Sequence, residues 1–177
     1  MTMMKEYSFT LKYRLPAEDA GHDAIVERLG EAGCTDALAG TGVAGRLALQ
    51  FDREAGTAHD ALLSALQDVK AAVPAAEFVE AGPDLVSASD IADLVGKSRQ
   101  NIRKFMILNG DFPRPVHEGP SVTLWHLSDV LEWLEARKEY KLDVGLHDVA
   151  RAAREVNVTK AVLWLPALKP DLEALVA

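Results

Sequence analysis

The first eighty residues show hydrophobic patterns that alternate between strand-like and helix-like periods. From Tyr7 to Leu15 every second residue is apolar, which predicts a half-buried strand. Pro16 ends this strand, and a helical period follows up to Gly33. The predicted elements are strand 7–15, helix 18–32, strand 34–38, strand 46–52, helix 57–73 and strand 76–80.

This order of strands and helices predicts an α+β fold. The order β-α-β-β-α-β is that of a ferredoxin-like domain, in which two helices cover one face of a four-stranded antiparallel sheet. We therefore expect residues 1–82 to form a ferredoxin-like domain. Within it, residues 40–45 read G-x-G-x-x-G. A dinucleotide site needs that motif to open a helix, whereas a strand pattern follows it here, so a flexible hairpin connection is predicted.

Two short helices joined by a tight turn are predicted near the middle of the chain. Ser87 or Ser89 can cap the first helix, and Gly96 breaks it. Ser98 can cap a second helix, predicted over residues 98–107. Short helices joined by a glycine turn are typical of the helix-turn-helix, whose second helix enters the major groove of DNA.

The second helix has two contrasting faces. Ile102, Phe105 and Met106 fall on one side at helical spacing, as core residues do. The other side is basic and amide-rich, and such side chains suit base edges and phosphates. The candidate DNA-binding residues are Lys97, Ser98, Arg99, Gln100, Asn101, Arg103, Lys104, Arg114 and His117. Ser98 is better placed for a phosphate, but which of the others meets a base stays open.

A Phe-Pro strand, a hairpin, an aromatic strand and a closing helix follow this helix pair. The segments are 112–116, 117–121, 123–126 and 128–134. In this order they resemble the AlpA/excisionase branch of the MerR-like winged helix-turn-helix modules, over about residues 85–138. The resemblance implies a DNA-binding domain at 84–140 with a wing, around 114–125, against the flanking DNA backbone. The family's wing is usually basic, whereas the hairpin here has almost no positive charge.

The distribution of charge narrows the functional classes. The formal net charge is −8, which argues against indiscriminate nucleic-acid binding. Residues 97–116, however, hold five basic residues against one acidic residue, Asp111. A local positive strip on an acidic body favours DNA binding through a small footprint.

The rest of the composition predicts neither a membrane protein nor an enzyme. No apolar run approaches the ~20 residues of a bilayer span, and the N-terminus lacks a signal-peptide pattern. The five histidines are scattered, without a carboxylate–histidine cluster. Cys34, the single cysteine, excludes an intramolecular disulfide and is interpreted as a small buried hydrophobe. We expect a cytoplasmic protein without catalytic activity, cofactor or metal.

The remaining segments join and extend these domains. Residues 81–84 are predicted to be a short linker that keeps the domains in a fixed relation. Residues 141–177 are predicted to be a helical tail, with a helix at 146–156 and an apolar patch at 161–165. The tail either folds back over the domains or forms a dimer interface. A homodimer is expected, with either the tail or the sheet as its interface. A small-molecule effector or a protein partner on the N-terminal domain is a further expectation.

The predicted function is sequence-specific binding of double-stranded DNA by a transcriptional regulator. Two alternatives use the same module. One is an antitoxin-like adaptor whose helix-turn-helix has lost its affinity for DNA, which the acidic total and the charge-poor wing favour. The other is a recombination directionality factor, which bends DNA at an attachment site.

Overall fold

The computed structural model of the protein describes residues 3–17, 21–40, 43–137, 140, 142–165, 167, 172, 175 and 176. The predicted start of the first helix at 18, positions 41 and 42 of the glycine loop, and most of the segment beyond 165 lie outside these residues. Helices and antiparallel sheets confirm the α+β class. The elements are β1 Lys5–Arg14, α1 His22–Glu31, β2 Ala37–Gly40, β3 Arg46–Ala55, α2 Ala58–Ala72, β4 Glu77–Gly82, β5 Leu85–Val86, α3 Ala88–Leu94, α4 Arg99–Leu108, β6 His117–Glu118, β7 Thr123–His126, α5 Leu127–Arg137 and α6 Leu146–Leu163.

The first half of the chain forms a four-stranded sheet with the order β2-β3-β1-β4, in which all neighbours are antiparallel. β1 pairs with β3 from Lys5, opposite Ala55, to Arg14, opposite Arg46. α1 therefore links two strands that run in the same direction with β3 between them, and α2 does the same around β1. The order of strands and helices in the first eighty residues is the predicted one.

The first hydrophobic core lies between this sheet and its helices. Every second residue of β1 is buried from Tyr7 to Tyr13, and the inward residues of β3 follow the same parity. Phe9 and Phe51 stack across the strand pair, with ring centroids 5.2 Å apart. Burial of each such side chain stabilises the fold by about 2 kcal/mol, so the alternating pattern decides which face of the sheet turns inward.

The second strand begins later than the sequence pattern indicates. A strand is predicted over 34–38, whereas β2 begins at Ala37. Gly33, with a φ of 95°, ends α1, and the Cys34 N–H donates to the Leu29 carbonyl at 2.9 Å. Cys34 thus belongs to the C-terminal cap of the helix and not to the strand. Its predicted burial is confirmed.

Arg53 forms a charged cluster that the sequence analysis did not identify. It occupies an inward position of β3 and is 7% exposed. Its guanidinium donates to both carboxylate oxygens of Asp36, at 2.7 and 3.0 Å, and to Asp68 at 2.8 Å. It also donates to the Ser64 hydroxyl at 3.0 Å and lies over the Phe51 ring. The hydrogen bond to Asp36 raises the pKa of Arg53, so the buried charge is retained and neutralised.

The second half of the chain packs three helices against a small three-stranded sheet of order β5-β7-β6. β5 has only two residues and was not predicted; it pairs with the end of β7. The core beneath contains the inward residues of all three helices. Its largest fully buried side chains are Ile91 of α3 and Val130, Leu131 and Leu134 of α5.

α6 joins the two halves of the molecule. It continues to Leu163, beyond the predicted end at 156, because no helix-breaking residue occurs before Pro166. Val149 and Ala153 belong to the first core, whereas Ala150 belongs to the second. Residues 146–163 of the predicted tail therefore fold back over both halves.

The predicted linker is partly structured. Ala81 lies within β4, and the Asn157 side chain of α6 accepts from its N–H at 2.8 Å and donates to its carbonyl at 2.9 Å. The buried Asp84 carboxylate lies 2.7 Å from Nδ1 of His126 and accepts from Asn157 at 2.8 Å. Hydrogen bonds from α6 and from β7 therefore hold the junction between the halves.

Candidate nucleic-acid interface

α3 begins at a reciprocal cap. The Ser87 hydroxyl accepts from the Asp90 N–H at 3.4 Å, and the Ser87 N–H donates to the Asp90 carboxylate at 2.7 Å. Of the two serines predicted as caps, Ser87 is the one that serves. Its hydroxyl also donates to Asp90 at 2.6 Å, which holds the pKa of that carboxyl below its ordinary value. The cap fixes a helix of only seven residues.

A glycine turn connects α3 to α4. Gly96 has a φ of 65°, a left-handed conformation that other residues adopt only with strain. The Lys97 N–H donates to the Ala92 carbonyl at 2.9 Å and closes the end of α3. Ser98 then caps α4 by accepting from the Asn101 N–H at 3.2 Å. The helix predicted over 98–107 thus begins and ends one residue later.

The inner face of α4 packs against aromatic side chains. Ile102 is buried, and Phe105 and Met106 are half-buried against the second core, as their spacing predicts. The Phe105 and Trp133 rings meet edge to face with centroids 5.0 Å apart, and Phe112 meets Trp133 at the same distance. These contacts determine which side of α4 faces solvent.

A β-hairpin built from β6 and β7 lies beside α4. The strands pair antiparallel, and the Gly119 N–H donates to the Val122 carbonyl at 2.9 Å across the turn. Trp125 of β7 is buried, and its indole N–H donates to the Pro113 carbonyl at 3.0 Å. The hairpin is therefore anchored to the same aromatic core as α4.

α4 and the hairpin enclose a groove of about 350 Å³. Arg99 and Arg103, one helical turn apart, line the groove from α4, so the predicted row of these two residues lies on one surface. Glu118 and Val122 line it from the hairpin. The sequence indicates that the hairpin has little positive charge. The structure adds that the Glu118 carboxylate of the hairpin lies in the same groove as Arg99 and Arg103.

The predicted DNA-binding residues are all exposed and fall into three groups. Arg99 and Arg103 line the groove, whereas Arg114 precedes the hairpin and His117 begins its first strand. The others surround the N-terminus and the outer side of α4: Lys97, Ser98, Gln100, Asn101 and Lys104. Within the described part of the chain, none of the five basic residues among them makes an ion pair or a side-chain hydrogen bond. Their donors remain available to a ligand.

The end of α4 has an apolar feature that the sequence analysis missed. Ile107 and Leu108 are 83% and 71% exposed. Ile107 also lines the groove beside the hairpin. Both residues lie outside the inward positions that Ile102, Phe105 and Met106 occupy. The helical period of the sequence therefore indicates that their side chains are exposed.

Neither a membrane span nor a metal site occurs in the residues that the structure describes. None of the helices there is both long and apolar enough to cross a bilayer. No group of three or more histidine, cysteine and acidic side chains comes together there as metal ligands would.

Comparison of the chain with family models, with curated proteins and with solved structures gave no match. The resemblance to AlpA-like modules rests on the residues of this chain alone and stays a prediction. The features of the chain that bear on function are the exposed residues of α4 and of the adjacent hairpin.

Proposed function

We propose that this protein binds double-stranded DNA at specific sequences, as a transcriptional regulator, with α4 inserted in the major groove. One observation carries the proposal. The outer side of α4 presents Arg99, Gln100, Arg103 and Lys104 to solvent, and its basic residues have no ion-pair partner among the described residues. An α-helix fits the major groove, and these side chains suit guanine, adenine and phosphate.

The surrounding elements support this proposal. α3, the Gly96 turn and α4, with the hairpin beside them, suit a winged helix-turn-helix of the AlpA type. The strand order β2-β3-β1-β4 suits a ferredoxin-like domain, which we propose for residues 1–82. The cap at Ser98 and the contacts of Phe105 hold α4 in place, and base reading needs such rigidity.

Arg99 and Arg103 are the proposed base readers. Each bidentate contact of an arginine with guanine contributes about 1–3 kcal/mol of discrimination. Lys97 and Ser98 lie at the N-terminus of α4, where the exposed N–H groups and the helix dipole favour a phosphate. Their role is to fix the register of the helix on the duplex.

The remaining candidates extend this surface. Gln100 and Asn101 carry amides of the kind that pair with adenine, and Lys104 is a further phosphate ligand. Arg114 and His117, before and within β6, are the proposed ligands of the DNA backbone next to the bound major groove. Their contribution is to orientation rather than to sequence recognition.

We propose that the protein acts in the cytoplasm as a homodimer. α4 has ten residues, and one such helix reads only a few base pairs, so useful affinity requires two half-sites. The exposed end of α6 supports a protein interface, because Leu163 and Trp164 are each 79% exposed. The half-site spacing of the DNA would then reflect the distance between two copies of α4.

A protein-interaction adaptor is the second candidate function. Ile107 and Leu108 favour it, because large apolar side chains at the end of α4 suit a protein surface better than a phosphate backbone. Glu118 favours it as well, since its charge opposes DNA in the same groove. A recombination directionality factor uses the same α4 surface as the regulator and differs in bending the bound DNA.

The test is enrichment and sequencing of genomic fragments with the purified protein and with an Arg99→Ala/Arg103→Ala variant. Arg151→Ala is the matched control, because Arg151 is an exposed arginine on α6, outside the groove. The control and the wild-type protein are expected to recover a shared motif that the double variant loses. Binding through about four phosphates predicts a log–log dependence on salt with a slope near −3.6.

The outcomes separate the candidates. Equal enrichment by the double variant shows that α4 does not read the sequence. No enrichment at low salt excludes DNA binding by the isolated protein and favours the adaptor. Recovery of the motif with strong bending of the bound fragment, seen as altered gel mobility, favours the directionality factor.

A further inference from the structure

The outer face of the four-stranded sheet carries a second concave surface, on the side opposite α1 and α2. At one end of this face, residues of β1, β2, β3 and β4 surround a cavity of about 600 Å³. That volume falls within the range of small-molecule sites. The outward positions of β1 and β3, all of which the structure describes, carry no aromatic side chain. These two central strands therefore offer no aromatic platform of the kind on which single-stranded nucleic acids stack.

Two arginines stand opposite one another in this cavity. Arg14 of β1 and Arg46 of β3 are cross-strand partners, and both are exposed. Like charges at directly opposed positions of an antiparallel pair destabilise it. Within the described residues neither arginine has an ion pair or a side-chain hydrogen bond. Glu77, opposite Arg14 on its other side, does not line the cavity.

The next row across the sheet forms the floor of the cavity. Lys12 adds a cation, but its Nζ lies 2.7 Å from the Glu80 carboxylate, so that charge is already paired. Ala48 on β3 and Gly40 on β2 continue this row. Because neither residue has a large side chain, they leave space above the sheet. A Cβ added at Gly40 meets only the Ala48 carbonyl oxygen, at 3.7 Å, which is an ordinary contact. A Cβ at Gly40 is therefore tolerated, and a larger side chain there starts from the floor of the cavity.

We propose that this cavity binds a small organic anion, a molecule with a phosphate or carboxylate group on a largely apolar body. Arg14 and Arg46 bind the anionic group, because guanidinium groups pair with both kinds of oxygen in bidentate geometry. Val43 and Val79, at the rim, are 58% and 43% exposed and contact the apolar part. The site shares no residue with the α4 surface and does not depend on DNA binding by α4.

The test is titration of the full-length, isotope-labelled protein at low ionic strength, followed by amide chemical shifts. Phenyl phosphate and phenylacetate are the two probes, one for the phosphate class and one for the carboxylate class, and each carries an apolar ring. Saturable shifts are expected around Arg14, Gly40 and Arg46. An Arg14→Gln/Arg46→Gln variant should bind the preferred probe at least about tenfold more weakly, as loss of charge-assisted hydrogen bonds predicts. Its thermal stability should be unchanged or higher, because the repulsion is removed.

Three further variants test whether binding is specific to the cavity. Gly40→Leu keeps both arginines and takes up space in the cavity that the apolar ring needs, so it should weaken the binding of both probes. Arg151→Gln removes an exposed arginine elsewhere and should bind as the wild type does. The Arg99→Ala/Arg103→Ala variant should also bind normally, which separates this site from the DNA surface.

Three results overturn the proposal. In the first, shifts appear only at residues 97–101, which places the anion on α4. In the second, neither probe produces saturable shifts around the cavity. In the third, the Arg14→Gln/Arg46→Gln variant binds both probes as the wild type does.

Discussion

Arginine side chains in the two halves of the molecule meet opposite environments. Arg53 in the sheet is almost fully buried, and its donors are used by Asp36, Asp68 and Ser64. Arg99 and Arg103 on α4 are exposed, with no ion pair or side-chain hydrogen bond among the described residues. A guanidinium whose donors are used within the protein stabilises the fold, whereas one whose donors remain available is suited to bind a ligand.

The sheet repeats this contrast on its two faces. Arg53 and Arg46 belong to the same strand, but Arg53 points towards the helices and Arg46 towards solvent. Their difference in burial follows from the period-two geometry of a strand. Substitution of Arg53 should therefore affect folding, whereas substitution of Arg46 should affect binding.

The largest expected effect on stability is that of Arg53→Met. The substitution leaves the carboxylates of Asp36 and Asp68 without their partner. It should lower the free energy of unfolding by about 2–3 kcal/mol. This loss is smaller than that expected for a fully buried pair, because both carboxylates are partly exposed. Urea denaturation measures the change. Arg46→Met in the same strand is the control and should stay within about 0.5 kcal/mol of the wild type. Equal losses in the two variants would contradict the contrast between the faces.

The second effect concerns the thiol next to this cluster. Burial raises the pKa of Cys34 to about 11, and the negative charge of Asp68 adds to the shift. The thiol of the unfolded chain ionises at lower pH than that of the folded chain, so stability declines as pH rises from about 9 to about 11. Cys34→Ala should make this decline shallower by about 2 kcal/mol. Unfolding in urea at a series of alkaline pH values tests this.

An unchanged pH profile in Cys34→Ala would show that the folded protein ionises the thiol as readily as the unfolded chain does. The profile should be compared after normalisation to neutral pH, because the lost sulfur also leaves a small cavity. Below about pH 9 the two proteins should differ by a constant amount.

The smallest expected effect on stability is that of substituting Ser98 at the start of α4. Ser98→Ala removes the cap that accepts from Asn101 and should cost about 1 kcal/mol. Ser98→Asp keeps a capping oxygen, so it should restore stability to near the wild-type value. It should nevertheless weaken DNA binding, because a carboxylate then faces the phosphate. Chemical denaturation and a DNA-binding assay on the same preparations separate folding from binding; tight DNA binding by Ser98→Asp would contradict the proposed phosphate site.

Locally encoded features of the fold could be predicted from the sequence. β1 is evident from the alternation of Tyr7 to Leu15, and α4 from the cap at Ser98 and the inward stripe from Ile102. Both depend on neighbouring residues within one element, which fixed periods make visible. The exposed positions of the candidate DNA-binding residues on α4 followed from the same helical period.

Features that depend on distant partners could not be predicted. β5 has two residues, too few for a period, and exists because Leu85 pairs with His126. The burial of Asp84 depends on Asn157 of α6. Arg53 did carry a signal, since it follows Phe51 at an inward position of β3, but its partners Asp36 and Asp68 lie on other elements.

The packing of α6 in both cores limits which segments of such a protein can be exchanged during evolution. Val149 and Ala153 complete the first core and Ala150 completes the second, so one helix belongs to both halves. Exchange of residues 84–137 alone with another chain would separate them from the helix against which they pack. The proposed specificity of α4 can drift through single substitutions on its exposed side, whereas replacement of the whole module requires α6 to move with it. Shuffling of such genes should therefore move α6 together with β5 to α5, and only where the incoming α6 keeps the small apolar residues that complete the first core.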